Sequence, residues 1–158
     1  MLKRNRMGVV LGVVMGAGAV LATTVPAAAA ERAASWRMAA VVDRAQGRAL
    51  LAGDYGRVID RLSEQRTDFE TSTNLCVAYA LSGDLARADT ACKRALALSE
   101  NAATRRDMAL ALTNLGVLKA AHGDLPAARS SFSRALELDG GLVPASDNLQ
   151  RLGVEPRG

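Results

Sequence analysis

The sequence contains the same helical hairpin twice, and this repeat limits what the chain can fold into. Residues 73–98 and residues 113–138 match when the first copy is shifted by forty positions. Both copies carry Thr-Asn-Leu at the start, Gly-Asp-Leu in the middle and Arg-Ala-Leu near the end. A single hairpin cannot bury its own apolar face, whereas a second hairpin stacked against it can. The repeat therefore predicts a stack of helical hairpins.

Residues that typically end or cap helices divide the rest of the chain in the same way. Gly-Asp pairs stand at positions 53–54, 83–84 and 123–124, where glycine can end one helix and aspartate can cap the next. Thr67 with Glu70, and Thr104 with Asp107, have the spacing of capping boxes. Apolar periodicity between these signals predicts helices at residues 36–52, 55–65, 67–81, 85–98, 105–121, 125–138 and 144–152.

The second copy resembles the tetratricopeptide repeat (TPR) family. Asn114-Leu115-Gly116, Gly123-Asp124-Leu125, Ala128, Phe132 and the Ala-Leu-Glu-Leu-Asp run that ends at residue 139 follow its 34-residue pattern. The resemblance implies an all-α fold, an α–α superhelix (a TPR-like solenoid) of about three helical hairpins plus a C-terminal capping helix. Unequal spacing of the turn glycines, 30 and then 40 residues apart, implies an irregular superhelix. A generic bundle of Ala/Leu hairpins is the alternative.

The N-terminus has the pattern of a secretory signal. Lys3, Arg4 and Arg6 precede an apolar stretch at residues 7–23, and Ala-Ala-Ala at residues 28–30 offers a cleavage site. We therefore predict a bacterial-style signal peptide at residues 1–30, a TPR-like domain at 31–153 and a flexible tail at 154–158. The mature protein is expected in the periplasm or secreted, with no membrane contact. The alternative is a membrane-tethered scaffold that keeps residues 7–23 as an anchor.

Charge argues against nucleic acid as a partner. Three of the 20 Lys and Arg residues lie in the predicted signal, which leaves 17 cations against 16 Asp and Glu. The mature chain is thus nearly neutral, and it has no basic stripe with interleaved aromatic residues that could follow a phosphate backbone.

The two cysteines stand symmetrically about a predicted turn. Cys76 and Cys92 each lie eight residues from Asp84, so they reach similar heights on the two helices of one hairpin. An exported protein meets an oxidising compartment, so we predict a Cys76–Cys92 disulfide that pins this hairpin. Two buried free thiols that act as small apolar side chains are the alternative.

No constellation of catalytic residues is evident. His122 is the single histidine, and it precedes Gly123 at a predicted helix end, where it can bond terminal carbonyls. The cysteines have neither C-x-x-C spacing nor a histidine partner. We therefore predict no catalytic residues, no metal site and no cofactor.

The resemblance implies a partner-binding surface, because the first helices of TPR hairpins line a concave face. The chain is thus expected to be a noncatalytic adaptor, scaffold or assembly factor that binds a protein partner through an apolar peptide or a helix. Asn74 and Asn114 are the candidates for hydrogen-bonding an extended peptide backbone, and the alternative is that they orient neighbouring helices. The full set of predicted partner-binding residues is Asp43, Arg44, Thr73, Asn74, Val77, Leu81, Thr113, Asn114, Val117 and Ala121.

Overall fold

Helices make up the regular structure of the computed structural model, which describes residue 28 and residues 31–41, 45–102 and 104–154. No strand occurs in these residues. The helices with defined bounds are α1 (Ala45–Leu51), α2 (Tyr55–Ser63), α3 (Phe69–Leu81), α4 (Leu85–Ala102), α5 (Arg105–Ala121), α6 (Leu125–Leu138) and α7 (Val143–Val154). Residues 28 and 31–34 are also helical. This architecture confirms the predicted all-α class.

The helices stack in the order in which they occur along the chain. Helices α1 and α2, α3 and α4, and α5 and α6 form hairpins, and α7 packs on α6 as the predicted capping helix. The first helices of successive hairpins also touch, α1 with α3, α3 with α5 and α5 with α7. They form one row along one side of the stack. This is the arrangement of a TPR-like superhelix.

The glycine turns form as predicted, but the aspartates that follow them are not equivalent. Gly53, Gly83 and Gly123 have φ values of 80°, 90° and 86°, the left-handed conformation that favours glycine. Asp84 accepts a hydrogen bond from the Arg87 amide, and Asp124 caps its own helix in the same way. Asp54 makes no side-chain capping bond, so the predicted cap is wrong there.

Two further helix boundaries test the capping predictions. The box at Thr104 and Asp107 is confirmed, with both reciprocal hydrogen bonds present at the start of α5. The box at Thr67 is wrong, because α3 begins at Phe69, two residues later than predicted. Asp68 is its N-cap and accepts from the Thr71 amide. A carboxylate directly before the helix takes the role that the hydroxyl was expected to fill.

The helix predicted at residues 36–52 is wrong over its first part. Residues 37–41 are not helical, and α1 begins only at Ala45. The backbone amides of Arg37, Ala39 and Val41 are hydrogen-bonded to asparagine side chains on other helices, and these bonds replace those of a helix. Tertiary contacts have overridden a local helical pattern.

Close contacts between the helices of a hairpin use paired small and large residues. An added Cβ on Gly116 would lie 2.5 Å from the Phe132 ring, so α5 and α6 meet there without a side chain between them. In the preceding hairpin, Cys76 and Cys92 take these two positions. Both are fully buried, their Cα atoms are 4.9 Å apart and their sulfur atoms are at bonding distance. The geometry allows the predicted disulfide, while its oxidation remains a prediction.

The predicted signal peptide lies outside the described residues except for residue 28, and most of the predicted tail also lies outside them. Within the described ranges, none of the helices combines the length and the apolar character needed to cross a membrane.

Candidate functional site

A non-helical segment crosses the row of first helices. We name residues 37–41 the strap. Its odd-numbered residues bond to asparagine side chains on three helices: Arg37 to Asn148 on α7, Ala39 to Asn114 on α5, and Val41 to Asn74 on α3. A contact at every second residue is the period of an extended chain. The strap therefore runs over the helix row as an extended peptide, from α7 towards α3.

Each asparagine holds both backbone groups of one strap residue. The Asn114 Oδ1 accepts from the Ala39 amide at 2.7 Å, and its Nδ2 donates to the Ala39 carbonyl at 2.7 Å. Asn148 makes the same two bonds to Arg37 at 2.8 Å each, and Asn74 makes them to Val41 at 2.9 and 3.2 Å. All three asparagines are only 1% exposed. We name this set the asparagine ladder.

An aromatic anchor fixes the strap at its N-terminal end. The Trp36 ring stacks on Phe132 with 6.3 Å between ring centroids, and the Arg151 guanidinium lies 5.3 Å from the Trp36 centroid. Arg37 forms an exposed ion pair with Asp147 at 2.6 Å. Trp36 is thus part of the core that lies between α5, α6 and α7.

Of the eight described residues predicted to bind a partner, all but Leu81 are buried. Thr73 and Thr113 are fully buried and donate to carbonyls one turn back in their own helices. Val117 and Ala121 are also buried, and the Ala121 carbonyl accepts from Arg32. Asn74 and Asn114 do hydrogen-bond an extended backbone, and that backbone belongs to the same chain. Asp43 and Arg44 lie outside the described residues.

An open cleft adjoins the strap on the same side of the stack. Its volume is about 510 Å³, and it contains Val77 and Leu81 of the predicted set. Leu51, which is 77% exposed, stands at its wall. We name this space the strap cleft. The residues that line it are Ala34, Trp36, Met38, Ala39, Ala40, Leu50, Leu51, Tyr55, Val77, Leu81, Arg106, Leu110, Leu142 and Pro144.

The strap cleft is mainly apolar. Arg106 is the one charged residue among those that line it, and its guanidinium is already paired with Asp139 at 3.1 Å. The other lining residues are aliphatic, aromatic or small. Such a surface suits apolar side chains of a partner rather than a charged ligand.

Shifted pKa values occur in the Asp84–Arg87 pair at a helix cap. The amide of Arg87 donates to Asp84 and lowers the pKa of that carboxyl, and the Arg87 guanidinium adds to the effect. The Arg87 pKa is raised in turn by Asp84. This pair starts α4 and has a structural role. His122 bonds the Leu118 carbonyl at 2.7 Å through Nδ1, as expected for a histidine at a helix end.

The described residues contain no group of three or more His, Cys, Asp or Glu side chains that could hold a metal ion. A second cavity of about 280 Å³ lies where α2, α3 and α4 meet. Arg87 and Arg94 reach it, together with several hydroxyl side chains. Neither space brings together a nucleophile, a base and a group that orients the base.

Neither the strap nor Asn148, the third asparagine of the ladder, was predicted from the sequence. Asn148 follows Asn114 by 34 residues, one family period, so the position could have been included with Asn74 and Asn114. For the strap there is no comparable local signal, because its sequence fits a helix.

Comparison with known proteins agrees with the geometry of the hairpins. The family model for the tetratricopeptide repeat matches residues 68–139, which span α3 to α6. Neither a curated protein nor a solved structure matches the chain.

Proposed function

The chain carries tetratricopeptide repeats over residues 68–139, and from this premise we propose that it is a noncatalytic protein–protein interaction module of the bacterial cell envelope. Solenoids of this kind present extended concave surfaces to other proteins. The chain would act as an adaptor, scaffold or assembly factor. It would bind a peptide or a helix of its partner on the concave side of the helix row.

This proposal rests mainly on the presence of the strap cleft. It combines an open volume of about 510 Å³ with an apolar lining, and it lies against the first helices of the hairpins. Leu51 exposes most of its side chain there, whereas large apolar side chains elsewhere in the described chain are mostly buried. A leucine so exposed at the wall of an apolar cleft favours contact with another protein.

The envelope location rests on the N-terminal sequence. The cations at the start, the apolar stretch and the alanine-rich cleavage site support export with removal of residues 1–30. The second candidate is a membrane-tethered scaffold that retains the apolar stretch. N-terminal sequencing of the protein from its native cell separates them, because a mature chain that begins at Glu31 excludes the tether.

Crosslinking in the native envelope, followed by mass spectrometry, tests the proposed binding face. We expect a partner whose crosslinks map to the strap cleft, and Leu51→Lys should remove them. Val143→Lys is the matched control, since Val143 is also exposed but does not line the cleft. Equal crosslinking of both variants and the wild-type chain would place the binding face elsewhere.

A further inference from the structure

The strap has two backbone edges, and only one of them is hydrogen-bonded to the rest of the described chain. Residues 37, 39 and 41 direct their backbone groups to the asparagine ladder. No described residue makes a hydrogen bond to the amide or carbonyl of Met38 or Ala40. In an extended chain these intervening groups point to the opposite side. The strap therefore presents an unpaired strand edge on the side opposite the asparagine ladder.

This unpaired edge adjoins the strap cleft. Met38, Ala39 and Ala40 all line the cleft, so a second extended chain placed there would lie alongside the strap. Apolar side chains of that second chain would meet Leu51, Leu110 or other lining residues. Backbone pairing and side-chain burial would thus be available to one ligand at once.

We propose that the strap is a template for strand addition. An extended segment of a partner protein pairs with Met38 and Ala40 through its backbone, and its alternate apolar side chains enter the strap cleft. This inference rests on the proposed function and deepens it, because it states the conformation and the chemistry of the segment that binds. Apart from Arg106 the residues that line the cleft are aliphatic, aromatic or small, so the segment is apolar where it enters.

Addition to the strap is favoured over its displacement. Removal of the strap would leave the buried ladder amides of Asn74, Asn114 and Asn148 without partners, and buried polar groups without partners are costly. It would also expose Trp36, which is packed in the core. In addition, the strap is tethered to its site, so a free peptide competes with a high effective concentration.

Short linear peptides displayed on phage and selected on the full-length chain provide the probe. The tightest peptides are resynthesised, and their affinity is measured for wild type and for Ala40→Pro, which removes one edge amide. Proline favours an extended conformation in the preceding residue, so the bonds of Ala39 to Asn114 are kept. We expect Ala40→Pro and Leu51→Lys each to weaken binding by about tenfold or more. Val143→Lys, the matched control for Leu51→Lys, should bind like wild type.

Hydrogen exchange of the complex identifies the mode of binding. The amides of Met38 and Ala40 should become protected, while those of Arg37, Ala39 and Val41 remain protected. Loss of protection at the odd-numbered residues would show displacement and overturn the proposal. Failure to select any peptide would also overturn the proposal. So would protection of the edge amides that rises with the concentration of the chain in the absence of peptide, because a second copy of the chain would then cover the edge.

The outcomes also separate this inference from the proposed function. If peptides bind and Leu51→Lys weakens them, while Ala40→Pro binds as wild type and the edge amides stay unprotected, the cleft is a binding site and strand addition is wrong. If native crosslinks avoid the cleft while selected peptides still pair with the edge, the proposed binding face is wrong and the edge chemistry stands.

Discussion

An asparagine side chain can serve both backbone groups of one residue, because it carries a donor and an acceptor side by side. The ladder uses this property three times without placing a charge in the core. Aspartate could accept from the strap amide but could not donate to its carbonyl. Alanine would leave both groups unpaired. The identity of the residue is therefore as important as its position.

Truncation of the ladder should cost most at its centre. Asn114→Ala leaves the amide and carbonyl of Ala39 unpaired in a buried site, and we expect the free energy of unfolding to fall by about 1–3 kcal/mol. Asn148→Ala should cost less, because Arg37 is exposed and water can replace the lost bonds. Urea denaturation of the two variants checks this order. Equal losses would contradict it.

The aspartates after the turn glycines give a matched pair of capping variants. Asp84 accepts from the Arg87 amide, so Asp84→Ala should lower the free energy of unfolding by about 1 kcal/mol. Asp54 makes no capping bond and only an exposed ion pair with Arg57, so Asp54→Ala should cost less than about 0.5 kcal/mol. Thermal denaturation at neutral pH compares the two. A larger loss for Asp54→Ala would refute the assignment.

The Asp84 contribution should also depend on pH. Its carboxyl has a lowered pKa in the folded chain, so its stabilisation is fully present above the unfolded value and is lost as pH falls through the folded value. The stability difference between wild type and Asp84→Ala should therefore shrink below about pH 4. A difference that is constant from pH 7 to pH 2 would show that the charged carboxylate is not involved.

At the scale of the helix, packing inside a hairpin depends on a missing side chain. Gly116→Ala places a Cβ 2.5 Å from the Phe132 ring, so we expect a loss of about 1–3 kcal/mol in unfolding free energy despite the better helix propensity of alanine. Gly56→Ala is the control, since a Cβ there meets no atom within 4 Å. It should stabilise the chain by about 0.5–1 kcal/mol. Chemical denaturation should thus give shifts of opposite sign.

The cysteine pair should stabilise the α3–α4 hairpin if it is oxidised. The bond between Cys76 and Cys92 would close a loop with a sequence separation of 16, which is worth about 3 kcal/mol in the chain-entropy model. We expect alkylation of the unfolded chain to label both cysteines only after reduction. We also expect reductant to lower the melting temperature. Two labels without reductant would support the buried free thiols.

At the scale of the whole molecule, the sequence predicts the hairpins but not the path of the strap. The Gly-Asp turns, the Thr104 capping box and the Leu and Ala repeats are local signals, and the local structure follows them. The strap is fixed by bonds to asparagines 33, 75 and 111 residues away along the chain. Local periodicity contains no information about such contacts. The open cleft could not be predicted for the same reason, since the strap forms part of its wall.

The strap connects parts of the stack that would otherwise interact only through neighbours. In a solenoid each repeat contacts the next, so stability is roughly a sum of local terms. The ladder bonds one short segment to α3, α5 and α7 at once, while Trp36 packs beside Phe132. Release of the strap therefore requires three helices to lose a buried contact together, which should make opening of the strap cooperative with unfolding of the stack.

Native-state hydrogen exchange of the free chain measures this cooperativity. The amides of Arg37, Ala39 and Val41 should exchange with opening free energies close to those of the buried amides in α5, because only global unfolding releases them. The amides of Met38 and Ala40 should exchange quickly, since no described residue bonds them. An alternating pattern along five residues is specific to an extended chain held on one edge. Uniformly fast exchange would mean that the strap opens on its own, and uniformly slow exchange would mean that both of its edges are covered.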